Sequence, residues 1–254
     1  MQAQQLLIAV SLLAPVVCAD TFYADIRHRP PEMVLSSNQE SSGPLKDILE
    51  KAVTMTGHTI KWRTAPFTRS LHALKQGYID IVPRVIRTSE REAFVLYLGP
   101  IGCQKKDILF LVHKGNEELI RDYADLHKVK VGVKRGTAYY SVFDTDTNIQ
   151  KVELKDDANM ARMFILKRFD VMAVLDRNSI EMALGSNEFT DYSYAEYKHQ
   201  QTIGIYYGMS HKSSLAFRYK ELNQALLTLS ESGAVAEIYA SYGIEPPLGG
   251  ACSN

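Results

Sequence analysis

Apolar positions along the chain fall into two alternating rhythms. Short runs such as TFYADI (21–26), HTIKWRT (58–64), IDIVPRV (79–85) and DVMAVLD (170–176) have the length and apolar content of strands. Segments of helical spacing lie between them. In GPLKDILEKAVTMTG, the residues Leu45, Ile48, Leu49, Ala52 and Val53 mark one face, and Gly57 supplies a stop. TRSLHALKQG predicts a helix closed by Gly77, and DDANMARMFILKRF and RNSIEMALG predict two more. KDILFLVHKG (106–115) reads as a buried strand, VKVGVKRGTAYYSVF as strand, glycine turn and helix, and QTIGIYYGM as a strand. Towards the end, LAFRYKELNQALLTLSESGAVAEIYASYG predicts a long helix to Ser232 and a second after Gly233.

This alternation predicts an α/β architecture with mainly parallel strands. An internal echo sharpens it. LKQGYIDIVPR and LKRFDVMAVLDR each pass from a helix through a tight turn to Asp and an apolar strand, as two similar α/β lobes would require. Lys106–Val112 and Thr202–Tyr207 are then the expected crossings between lobes.

Composition narrows the class. The chain has 254 residues, enough for one large or two small cores. Lys+Arg and Asp+Glu are both 29, so the basic excess of a nucleic-acid binder is missing and no such partner is expected. The first twenty residues, MQAQQLLIAVSLLAPVVCAD, hold no charge before Asp20, and their apolar run is too short to span a bilayer. Val17 and Ala19 fit the small-residue rule of a cleavage site, so residues 1–19 read as a secretory signal peptide. The missing Lys/Arg ahead of the apolar run puts the start codon in question. After cleavage Cys103 and Cys252 remain, either as a disulfide or as two free thiols. With no CxxC and no His/Cys cluster, neither a metal site nor a cofactor is expected.

Candidate chemistry sits where strands feed helices, because ligands of open α/β sheets bind outside the carboxyl ends of strands. PRVIRTSER offers Thr88 or Ser89 as N-cap, with Ser89 and Glu92 spaced as a capping box. VGVKRGTAYY offers Gly136 for a tight turn and Thr137 as a cap. MAVLDRNS ends an apolar strand at Asp176. Arg91 is the odd residue, since a helix start already carries partial positive charge. Its guanidinium fork suits a carboxylate, and Asp176 on an opposite wall suits an ammonium. Each feature also has a plain reading: a capping Thr is often only a cap, and a strand-end Asp is often an N-cap.

Several motifs taken together resemble the extracellular solute-binding proteins of family 3, the amino-acid type of periplasmic binding protein with a two-lobed type II fold. They are SGPLKDILEKAVTMTG, LKQGYIDIV, RTSER followed by LGP, VGVKRGT, FDVMAVLD and the closing GAVAEIYASYG, in order over residues 20–247. The resemblance implies a ligand cleft between lobe 1 (20–108 and 203–254) and lobe 2 (109–202). It implies that Arg91 binds a ligand carboxylate, helped by Thr88 and, from the other lobe, by Gly136 and Thr137. Asp176 takes the ammonium and Phe67 lies against the ligand. It further implies a monomeric periplasmic protein that hands a small molecule to an inner-membrane ABC permease. An extracytoplasmic sensor docking on a membrane receptor is the alternative.

One departure is informative. Where many amino-acid binders have small hydroxyl residues, this chain has Pro83, Arg84, Val85 and Ile86, and Arg84 is expected to face the cleft. Arg27, Arg29 and Arg135 either add to the positive charge there or stand solvated on its rim. Some members of this fold are periplasmic dehydratases, and His28 with Glu32 offers an acid and a base. No Gly-x-Ser-x-Gly, phosphate loop or metal motif accompanies them, and no enzyme is expected.

Overall fold

A computed structural model describes residues 19–36, 40–249 and 252. The signal-peptide reading falls on residues 1–19, of which 1–18 lie outside the described residues. The strands are β1 (Thr21–Ile26), β2 (Val34–Leu35), β3 (Ser41–Ser42), β4 (Thr59–Thr64), β5 (Ile81–Pro83), β6 (Val95–Leu98) and β7 (Cys103–Lys105). Then follow β8 (Ile108–His113), β9 (Lys130–Lys134), β10 (Gln150–Leu154), β11 (Val171–Val174), β12 (Tyr192–His199), β13 (Thr202–Gly204) and β14 (Tyr207–Ser210). The α-helices are α1 (Pro44–Met55), α2 (Phe67–Gln76), α3 (Ser89–Glu92), α4 (Ser141–Thr145), α5 (Asp157–Ile165), α6 (Arg177–Gly185), α7 (Tyr219–Glu231) and α8 (Ala234–Ser241).

The strands form two five-stranded sheets, one per lobe, in the orders β4-β1-β5-β14-β6 and β10-β9-β11-β8-β12. Both repeat one pattern. The first three strands pair in parallel, and the fourth runs antiparallel to both its neighbours. The expectation of mainly parallel pairing therefore needs correcting, because half the pairings in each sheet are antiparallel. The reversed strands, β8 and β14, each follow a segment that has just come across from the other lobe. The crossings themselves are β7 and β13, which pair antiparallel as a separate two-stranded ribbon. Ile108–His113, expected as part of a crossing, lies inside the second sheet instead.

The sequence echo corresponds to equivalent places: β5 and β11 are the third strand of their sheets. The aspartate ahead of each does the same job. Asp80 Oδ2 accepts from the Tyr23 amide at 2.8 Å, and Asp170 Oδ2 accepts from the Lys130 amide at 2.8 Å, tying each turn to the neighbouring strand.

The first core packs α1, α7 and α8 on their sheet through the residues that the periodicity marks: Leu45, Ile48, Leu49, Ala52 and Val53 are all fully buried. Each large one contributes about 1.5–3 kcal/mol by leaving water. Gly77 closes α2 at φ 81°, and a Cβ there would also meet Lys212 Cβ at 2.8 Å. The second lobe has one cluster on each face of its sheet, around Phe110 and Phe143 and around Phe164 and Leu184. Among the described residues, no helix is long and apolar enough to cross a membrane.

Candidate functional site

Where the lobes meet, α3 is only one turn long, so the helix-dipole objection to Arg91 has little force. Thr88 is its N-cap: its Oγ1 accepts from the Arg91 amide at 3.3 Å. The Ser89–Glu92 capping box does not form, and Glu92 turns to Arg87 at 2.6 Å. With its backbone fixed by Thr88, the Arg91 side chain lies buried between lobes. Nη1 donates to Ile86 O and Nη2 reaches across to Gly136 O, both at 2.9 Å. Burial lowers its pKa, against the pull of Tyr97, Glu90 and Asp144. Among the described residues no carboxylate lies within ion-pair distance of it.

Gly136 stands at φ 71° in the turn after β9, where a side chain would be strained. A Cβ there would come within 3.1 Å of Thr68 Cγ2 in α2, so the turn packs against the opposite lobe. Thr137 follows it and lines a cavity of about 470 Å³ with Arg91 and Thr88. It does not cap a helix: α4 starts later, at Ser141, with no side-chain cap. A second cavity of about 730 Å³ borders the same contact from the side of Tyr140 and His199.

Phe67 opens α2 and gathers two cations. Arg91 Cζ lies 5.7 Å from its ring centroid and Arg27 Cζ 4.1 Å. Arg27 donates to Pro83 O at 3.1 Å and Arg84 O at 3.3 Å. It is thus half-buried and bound, one of the two ways the sequence could be read. Arg135 follows the other way: it is exposed and paired with Glu153 at 3.2 Å.

Arg84 is buried, with its backbone at φ 61°, a conformation that costs a non-glycine residue free energy. Its amide donates to Tyr206 O at 2.9 Å. Its side chain is already partnered: Nε donates to Glu32 at 3.3 Å and Nη2 to Gln104. Glu32 also accepts from Arg29 and, at 3.3 Å, from Tyr239 Oη. Burial alone would raise the Glu32 pKa, but Arg84, Arg29 and Lys106 together hold it below 4.5. His28 Nδ1 accepts from the Leu35 amide at 3.1 Å.

Asp176 is the N-cap of α6, accepting from the Ser179 amide at 3.4 Å. Its Oδ2 also faces Arg29 Nη2 across the cleft at 3.7 Å. The structure therefore joins the candidates into two linked groups: Arg91, Thr88, Gly136, Thr137 and Phe67 on one side, Arg84 and Asp176 through Glu32 and Arg29 on the other. Glu32 and Arg27, singled out in the sequence without their partners, and Lys106, which the sequence reading passed over, join these groups. Their signal was the density of charge in DIRHRPPEMV and at the crossing, without any means of pairing it.

Two α/β lobes joined by a crossing ribbon, with an arginine buried at their contact, define a two-lobed binding protein. Sequence comparison agrees: residues 21–245 match the model for bacterial extracellular solute-binding proteins, family 3, and the chain belongs to that family. It is 29% identical over 143 residues to a probable histidine-binding protein of Campylobacter jejuni, a match spanning 56% of this chain and 54% of that relative. The chain thus spans about half the length of the curated relative it matches. Among solved structures, a histidine kinase sensor domain with similarity to periplasmic binding proteins superposes with a TM-score of 0.68 at 16% identity, covering 90% of this chain and 98% of that one. The substrate-binding protein of an amino acid ABC transporter gives 0.64 at 16% identity, covering 87% and 98%. At this identity the two structures share the fold. The family is one of solute-binding proteins, and it places the chain outside the cytoplasm.

Proposed function

We propose that the chain is a periplasmic solute-binding protein that captures a small carboxylated ligand, an amino acid or a related solute, for an ABC permease. The observation that carries this reading is Arg91, buried at the lobe contact with two N–H groups on backbone carbonyls and, among the described residues, no carboxylate within ion-pair distance. A buried, uncompensated guanidinium is costly, and an incoming carboxylate removes that cost through a charge-assisted fork. Thr88, Gly136 and Thr137 surround the place where it would dock, with Phe67 beside it and Asp176 across the cleft for an ammonium. Residues 1–19 would direct export. The name of the Campylobacter relative and the transporter-linked neighbour both favour an amino acid.

A thermal-shift screen of amino acids, dicarboxylates and short peptides tests this. At about 100-fold over its Kd a ligand adds about 2.7 kcal/mol, or about 5–10 °C for a chain of this size. No shift from any carboxylated compound would remove the reading. The kinase-sensor neighbour favours a second role, docking on a membrane receptor with the same ligand. Loss of ligand uptake in a deletion strain supports transport; loss of a ligand-dependent signal with uptake intact supports sensing.

A further inference from the structure

The cleft holds more positive charge than a single carboxylate can satisfy. Arg29 and Arg84 share Glu32, and Arg29 also faces Asp176. Arg27 and Arg91 are different. Both are turned onto the Phe67 ring, at 4.1 and 5.7 Å from its centroid, so their Cζ atoms lie at most 9.8 Å apart, the sum of those distances. Each uses two N–H groups on backbone carbonyls, and among the described residues neither has a carboxylate within ion-pair distance. We infer that the ligand carries two anionic groups, one for Arg91 and one for Arg27, and so belongs to the class of small diacids, acidic amino acids included.

This rests on the carboxylate-binding reading and narrows it. Three features support it. The Arg27 guanidinium covers a face of Phe67, and so takes up ring surface that an apolar or cationic ligand side chain would need. The spacing of the two forks is within reach of a four- or five-carbon diacid holding one carboxylate on each. Finally, burial, with Arg29, Arg84 and Arg91 close by, pushes the Arg27 pKa well down against the opposing pull of Glu32. A zwitterion brings no net charge to relieve that repulsion; a dianion does.

L-glutamate and L-glutamine share a skeleton and differ by one charge, so they separate the possibilities. Thermal shift and titration calorimetry on the purified protein should compare them with succinate, glutarate, L-histidine and L-arginine. L-glutamate or one of the diacids should bind at least about thirtyfold more tightly than L-glutamine, the size expected for losing one partner of a buried charge pair. Arg27→Gln should abolish that preference, bringing L-glutamate to within a few fold of L-glutamine. Should this variant fail to fold, the comparison on the unaltered protein still decides. Binding of L-glutamine, L-histidine or L-arginine as tight as that of the diacids would overturn the inference and leave the carboxylate reading standing. Binding of none of these compounds would likewise overturn the inference, while the carboxylate reading stands or falls with the wider screen.

Discussion

At neutral pH the Glu32 carboxylate faces Arg29 and Arg84 together, with Tyr239 on its second oxygen. Its folded pKa lies below the ordinary 4.5, so its ionised form stabilises the fold above that value. The contribution is lost as the pH falls through 4.5 towards the folded value. Replacing Glu32 by Gln leaves Arg84 buried without its counter-charge, at a cost of about 3 kcal/mol near neutrality. Thermal denaturation of the Glu32→Gln variant beside the parent should show that deficit shrinking as the pH drops below about 4.5. A deficit independent of pH would mean that Glu32 acts by shape alone. Individual residues were only partly legible in the sequence. Arg91 stood out because its place in a helix start was wrong for a cation. Arg84 was expected to face the cleft but is partnered by Glu32 and Gln104, residues 52 and 20 positions away. No local pattern encodes such a pairing.

Among the elements, the helices and central strands were readable because burial on one or both faces writes a period into the sequence. β10 and β12 were not, and both are edges of the second sheet. Edge strands bury less, so their side chains need not be apolar; Gln150–Leu154 and Tyr192–His199 are mostly half-buried or exposed. The cysteine question had the same origin. Cys103 lies in the crossing strand β7, and a backbone pair with Leu248, at 2.8 and 2.7 Å, brings the tail beside it. The two sulfurs are bonded across a separation of 149 residues. Closing so long a loop restricts the unfolded chain, and Cys252→Ser should lower stability by about 2–5 kcal/mol. Thermal melts of this variant, and of the parent under reducing conditions, should both fall by several degrees. An unchanged melting temperature in both would show that the tail adds nothing to the fold.

At the scale of the molecule, two sheets of the same order face each other across a cleft and are linked by paired strands, the layout of hinge closure. The two-lobed architecture was legible from the repeated helix–turn–Asp–strand unit. The contents of the cleft were not, because they come from β1, the β5 turn, α2, the crossing and the β9 and β11 turns, which only the fold assembles. In this arrangement Arg91 reaches from one lobe to the Gly136 carbonyl of the other, so the ligand proposed to dock on it would meet both lobes at once. The most direct measurement is titration calorimetry of the tightest carboxylated compound from the screen against the parent protein and Arg91→Ala. A carboxylate clamp at this position predicts a loss of about 2 kcal/mol or more, some thirtyfold in Kd, with the variant still folded. An affinity unchanged within a few fold would contradict it.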